Sequence, residues 1–263
     1  MEYLIFFTLF VFGLIIGSFL NVVILRWNTE ASISKGRSKC FSCDRTLSWY
    51  ELIPIFSFLF QRGKCRECKS KISWQYLFVE LATALVLPFI FLMNNGTLIS
   101  KVSTFIVTCF YIVIFVYDMR HKIIPDFFSY TAALMALGII ALEWQSSGVL
   151  DITKVIAGPS LFLFFYFFWF VSRGRWMGLG DAKLALSIGW LLGLWQGIAA
   201  ILLSFWIGAS VSLLIMLCQR VIWKKKGLGL KSEIPFGPFI LIGFCISFFF
   251  HIDIQSILLF LAV

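Results

Sequence analysis

The chain reads as eight long apolar stretches separated by polar segments: residues 3–25, 76–93, 102–117, 127–142, 155–171, 184–194, 196–218 and 234–250. Most approach the roughly 20 residues that a helix needs to cross hydrocarbon, and 184–194 is short. The continuous run from Leu184 to Cys218 covers 35 residues, too many for one span. It is divided here at Trp195-Gln196, which requires a tight turn at the far interface. The pattern predicts an all-α, polytopic membrane protein with about eight transmembrane helices. Its organisation reads as a first transmembrane helix (1–26), a small loop domain (27–75) and a membrane domain (76–263). No positive segment precedes the first apolar run and no small-residue cleavage site follows it, so it is expected to remain as a span.

Composition agrees with this class. Of 263 residues, 60% are apolar, 13% are charged and 31 are Phe. A soluble domain carries about 25% charged residues. The net charge of +9 does not point to nucleic acid, because the cations sit in loops beside apolar spans. With the N-terminus outside, ten Lys and Arg between Arg26 and Lys71 fall inside. So do Arg120, Lys122, Arg173, Arg175, Lys183, Arg220, Lys224, Lys225, Lys226 and Lys231. Only Lys101 and Lys154 remain outside. This predicts a multi-pass membrane protein with residues 27–75 in the cytoplasm.

That loop contains Cys40-Phe41-Ser42-Cys43 and Cys65-Arg66-Glu67-Cys68, with 21 residues between the pairs. Four thiolates in two C-x2-C units can close a tetrahedral shell around zinc, and a loop this short needs such a staple to fold. Residues 39–49 and 64–74 share the form K-C-x-x-C-x-x-x-[L/I]-S-W, which predicts two similar knuckles facing one another across one metal. A cytoplasmic loop argues against disulfides, and the repeat argues against idle thiols. Lys39, Arg45, Lys64, Arg66 and Lys69 help offset the charge of the thiolates. Cys109, Cys218 and Cys245 lie in apolar spans and read as small hydrophobes.

Asp118 and Asp181 each sit where an apolar stretch meets a charged loop, both at the expected cytoplasmic side. An ionisable group at such a place is a functional candidate by default. Two carboxylates brought together would share a proton, and one ionised and one protonated group are the equipment of acid–base hydrolysis. Gly178 and Gly180 are expected to let the backbone before Asp181 bend and approach closely. Pro125 favours a break between two spans. On local sequence alone each aspartate also reads as a solvated helix end, beside Arg120 and Lys122 or beside Lys183. Asp126 is assigned a structural role, capping a helix that starts at Phe127. His121 reads as solvated and His251 lies at the opposite face, so no histidine-based triad is available.

Taken in order, these motifs resemble the bacterial prepilin peptidases, or type IV leader peptidases, membrane aspartic proteases with a G-x-G-D motif. The likeness covers nearly the whole chain. It includes 17–23 (GSFLNVV), the four-cysteine loop, 51–54 (ELIP), 62–66 (RGKCR) and 79–84 (VELATA). Asp118-x-Arg120, Ile124-Pro125-Asp126, Gly178-x-Gly180-Asp181-x-Lys183 and 234–238 (IPFGP) complete it. One departure is Phe41, where the family often has proline after the first cysteine.

The resemblance implies an endopeptidase that cuts leaders from prepilin-like membrane proteins after glycine, with Asp118 and Asp181 catalytic. Gly178, Gly180, Lys183, Pro125 and Asp126 would support that site. It also implies methylation of the new N-terminus, with S-adenosylmethionine as donor. No G-x-G-x-x-G follows a strand, so that activity rests on the resemblance alone. Polar groups near the cytoplasmic face that could contribute are Asn21, Arg26, Glu51 and Glu80; each could equally bond between helices. The alternatives are a peptidase without methyl transfer, a zinc-stabilised scaffold, and a proton-coupled transporter. A transporter places its carboxylates near mid-membrane, usually in duplicated halves.

Overall fold

A computed structural model of the chain describes residues 2–30, 32–93, 96–221 and 235–262. The helices, in chain order, are α1 (Glu2–Arg26), α2 (Phe56–Phe60), α3 (Gln75–Met93), α4 (Leu98–His121), α5 (Asp126–Ser147), α6 (Ile152–Ser172), α7 (Leu179–Leu192), α8 (Leu194–Val221), α9 (Gly237–Phe250) and α10 (Ile254–Ala262). A 3₁₀ turn, Trp49–Leu52, precedes α2. Among the described residues the architecture is all-α, with only the isolated bridges Lys39–Thr46 and Lys64–Lys71.

Each of the eight apolar stretches becomes a helix. Six of these, α1, α3, α4, α5, α6 and α8, are long and apolar enough to cross a membrane. α7 and α9 have 14 residues each, or about 21 Å of helix, against a hydrocarbon core of about 30 Å. The expected polytopic all-α membrane protein is thus found, with six helices of full membrane length and two shorter apolar ones among the described residues. The break in the long apolar run lies elsewhere. It falls at Gly193, whose φ of +82° ends α7, and not at Trp195-Gln196. Left-handed backbone at that point is open to glycine and disfavours Trp or Gln. Lys224, Lys225, Lys226, Lys231 and Ile234 lie outside the described residues.

The chain divides into two compact units, Met1–Val113 and Ile114–Val263, with the division inside α4. In the first unit α1 packs on α3 through glycines. A Cβ on Gly13 would stand 2.7 Å from the Ala84 Cα, and one on Gly17 would stand 2.7 Å from the Glu80 Cα. Small residues let helix backbones meet this closely in a membrane. Asn21, 1% exposed, then ties the pair. Its amide donates to Tyr76 O at 3.2 Å and its Oδ1 accepts from Gln75 Nε2 at 3.3 Å.

In the second unit α7 is the central helix, packed against α5, α6 and α9. Leu184, Ala185 and Ile188 on it are fully buried. A Cβ on Gly189 would stand 2.7 Å from the Gly158 Cα of α6, and Trp190 Nε1 donates to Val155 O at 3.0 Å. Phe165 and Phe244 close the core of this unit. The consequence for chemistry is positional: the first turn of α7 is held from several sides.

Candidate active site

Asp118 lies three residues before the end of α4 and Asp181 in the first turn of α7. Both are buried, at 4% and 7% exposure. Burying a carboxylate is costly unless its oxygens find donors, and each does. Gly178 N–H donates to Asp181 Oδ2 at 3.3 Å. Gly237 N–H, at the start of α9, donates to Asp118. Asp118 is near enough to Asp181 for its charge to bear on it. So the structure brings together two carboxylates that are 63 residues apart in the chain.

Ile124, three residues after α4, packs against Gly180 in the first turn of α7 and Gly237 at the start of α9. A Cβ on Gly180 would stand 2.9 Å from Ile124 Cβ, and a Cβ on Gly237 would stand 3.0 Å from Ile124 Cδ1 and 2.5 Å from Asp118 Oδ2. Glycine at 180 and 237 is thus required for room. This corrects the conformational argument from sequence: neither Gly178 nor Gly180 has a positive φ, and Gly178 is extended at φ −77°, ψ 150°. Ile124 and Gly237 carry no sequence signal beyond their places in Ile124-Pro125-Asp126 and 234–238 (IPFGP), because a close approach between distant segments leaves no local pattern.

Pro125, at φ −68° and ψ 127°, precedes α5 and separates it from α4, as expected. Asp126 does not cap a helix beginning at Phe127. It is the first residue of α5, and its Oδ1 accepts from Lys183 Nζ at 2.6 Å. Lys183 Nζ also lies 5.1 Å from the Tyr130 ring centre. An ion pair across two helix starts is a better use of this carboxylate than a local cap, because the cation comes from the turn that carries Asp181.

In the first unit the four cysteines converge. The sulfurs of Cys40, Cys43, Cys65 and Cys68 lie within 4.8 Å of one another, and Cys40 and Cys68 are 3.8 Å apart. Around zinc at about 2.3 Å per bond, tetrahedral sulfurs stand about 3.8 Å apart. The sequence repeat is also a backbone repeat. Cys40 N–H bonds Arg45 O, Asp44 N–H bonds Cys40 O and Leu47 N–H bonds Ser38 O. Twenty-five residues on, Cys65 bonds Ser70, Lys69 bonds Cys65 and Ile72 bonds Gly63. Asp44 and Lys69 share a left-handed φ of 53° and 58°.

Backbone N–H groups of Ser42 and Cys43 lower the Cys40 thiol to about 6. At Cys43 the Arg45 N–H acts the same way but is outweighed by burial and by the sulfurs of Cys40 and Cys68, leaving it at about 12. Four crowded sulfurs with donors aimed at them are a donor set suited to a thiophilic cation. Arg45 bonds Glu51 Oε1 at 2.7 Å, and its Nε lies 2.9 Å from Glu67. Burial pushes the Glu51 carboxyl upward, but Arg45 and the Ser48 N–H outweigh it, so it sits below the usual range.

The remaining polar candidates are engaged internally. Arg26 donates to the carbonyls of Ser32 at 2.6 Å and Lys35 at 2.9 Å. Glu51 accepts from Arg45 and Ser48. Glu80 Oε2 accepts from Ile55 N–H at 2.8 Å. With Asn21 between α1 and α3, all four act as fasteners of the first unit.

Two buried carboxylates thus stand at helix ends in a membrane protein that has, among the described residues, six helices of membrane-spanning length. The comparisons narrow this. Residues 11–94 match the Bacterial Peptidase A24 N-terminal domain, and residues 105–213 match the Type IV leader peptidase family. The prepilin leader peptidase/N-methyltransferase of Bacillus subtilis is 34% identical across 94% of this chain and 95% of its own length. That of Vibrio cholerae is 29% identical across 95% and 98%. The type 4 prepilin-like proteins leader peptide-processing enzyme of Escherichia coli is 30% identical across 88% of each. No solved structure matches. The chain belongs to the type IV leader peptidase family.

Proposed function

We propose that this chain is a membrane-embedded aspartic endopeptidase that removes the leader of prepilin-like proteins after a glycine, at the cytoplasmic face. The observation that carries this is the burial of Asp118 and Asp181 in one unit, near enough for the charge of one to bear on the other, in a chain whose relatives are named for leader-peptide processing. Close carboxylates do not comfortably both ionise, so the pair holds one proton between them. The ionised partner takes a proton from water as it attacks the scissile carbonyl. The protonated partner donates to the carbonyl oxygen, and a proton then passes to the leaving nitrogen. The Gly178 and Gly237 N–H groups hold each carboxylate in place, and Lys183 and Asp126 fix the two helix starts. Asp118 and Asp181 sit at helix ends, which suits a substrate whose apolar segment stays in the bilayer while its basic leader stays in water. A transporter relay would place its carboxylates in mid-helix, whereas Asp118 lies near the end of α4 and Asp181 in the first turn of α7.

The cysteine cluster is read as a zinc site, with Cys40, Cys43, Cys65 and Cys68 as ligands. Zinc there would supply folding energy to a loop whose apolar core is small. The same enzyme is proposed to methylate the freed amine, as the names of its relatives state of them. S-adenosylmethionine would supply the methyl group, and no residue is assigned to hold it. In this division residues 1–26 are a first span, 27–75 the metal loop and 76–263 the peptidase part.

The test is direct. Purified protein in liposomes is given a small substrate with a basic leader, a glycine and an apolar segment, and the products are weighed. Two fragments cut after the glycine support the reading. Intact substrate beside a proton flux through the same liposomes would move it to the transporter class.

A further inference from the structure

The loop domain carries a surface that neither metal binding nor peptide cleavage uses. α2 has two faces. Phe58 is buried, with its ring 5.2 Å from that of Trp74. Phe56, Leu59 and Phe60 turn outward and are 56%, 59% and 81% exposed. Tyr50, Ile53, Phe56 and Phe60 line one cavity of about 180 Å³, together with Arg66. Apolar residues so concentrated on an exposed surface mark a place of contact.

The depth of α2 is set by one bond. Ile55, immediately before α2, donates its N–H to Glu80 Oε2 at 2.8 Å. Glu80 is five residues into α3, about 7.5 Å along the helix axis. The apolar run of α3 opens at Tyr76. The bond therefore holds the start of α2 level with the membrane-facing part of α3. Ile55 accepts φ +61° and ψ −54° to be there, a conformation that β-branched residues avoid. A tertiary contact has overridden local preference in order to bring the loop back to this level.

Charge identifies what covers the patch. Arg62, Lys64, Arg66, Lys69 and Lys71 follow α2 and are all exposed. The acidic residue among them, Glu67, faces Arg45 at 2.9 Å. Exposed Trp49 and Trp74 flank the segment, and aromatic side chains of this kind favour the membrane interface. Arg66 in the cavity, Arg62 just after the helix and three exposed lysines close by in sequence suit anionic headgroups over acyl chains and repel a basic peptide.

We propose that α2 is an interfacial anchor of the loop domain. Phe56, Leu59 and Phe60 enter the acyl boundary of an anionic bilayer, and Arg62 and Arg66 contact lipid phosphates. The experiment places a photo-reactive phenylalanine analogue at Phe60, and separately at exposed Asp44, in the full chain in nanodiscs of mixed phosphatidylglycerol and phosphatidylcholine. Retained zinc and substrate cleavage report that the variants are folded. The expected result is lipid adducts at position 60, several-fold above position 44. Charge reversal by Arg66→Glu is expected to lower the phosphatidylglycerol share of these adducts by about fivefold. Adducts to a second copy of the chain would make the patch a protein interface and overturn the proposal. An absence of adducts at position 60 in folded protein would overturn it as well.

Discussion

Lys183 Nζ stands 2.6 Å from Asp126 Oδ1 and joins the start of α7 to the start of α5. Lys183 follows Asp181 by two residues, and Asp126 follows Asp118 by eight. The pair therefore couples the two segments that carry the proposed catalytic carboxylates. Its lysine end is 13% exposed and its aspartate end 64% exposed.

Because Asp126 is open to water, the pair is worth little by itself, up to about 1 kcal/mol. Asp126→Asn is expected to slow cleavage by no more than about fivefold, which is that energy expressed as a rate. Kinetics of the purified variant check this. Complete loss of cleavage in folded protein would mean that Asp126 belongs to the reacting set.

Gly237 gives a sharper test of geometry. A methyl group there would stand 2.5 Å from Asp118 Oδ2 and 3.0 Å from Ile124 Cδ1. Gly237→Ala is expected to displace the carboxylate and lower kcat by about a hundredfold, the usual cost of misplacing a reacting group by an ångström. Gly138→Ala serves as the control, since nothing lies within 4 Å of its added methyl. Equal rates in the two variants would show that the Gly237 contact does not position Asp118.

For the metal, one zinc per chain is expected by elemental analysis. The Cys40→Ser/Cys43→Ser double variant is expected to have none. Hydrogen exchange over residues 38–47 and 63–72 should rise together, because the two knuckles share one ion. Equal zinc in both proteins would remove the site.

Methylation is expected to depend on the cysteine loop more than cleavage does. Processed substrate from the wild type should carry an added mass of about 14 Da, one methyl group. The cysteine double variant should lose that increment while retaining a larger share of its cleavage. A wild-type product without the increment, with methyl donor present, would leave a peptidase alone.

The sequence disclosed some of this and not the rest, for physical reasons. Apolar stretches are read by composition, so all eight reappear as helices, and the two C-x2-C units reappear as matched knuckles because the repeat is local. The end of α7 at Gly193 was placed two residues late, since apolar residues lie on both sides and only the positive φ of Gly193 marks it. α10 was not expected, being nine residues at the chain's end. Loop charge also put Asp118 and Asp181 at the same side of the membrane, where they could meet. A close approach at Gly180 was legible, but its partner Ile124 and the part of Gly237 were not, because each acts by contact with a residue far away in sequence. The ion-pair partner of Asp126 is hidden for the same reason: it is 57 residues on.

The central claim is that Asp118 and Asp181 form one proton-sharing pair. It is tested most directly by single-turnover cleavage of a prepilin-like substrate by Asp118→Asn, Asp181→Asn and the double variant, each inserted in membrane at wild-type abundance. Each single variant is expected to show no cleavage above the uncatalysed background, and the double variant to be no worse. Substantial cleavage by either single variant would contradict the account.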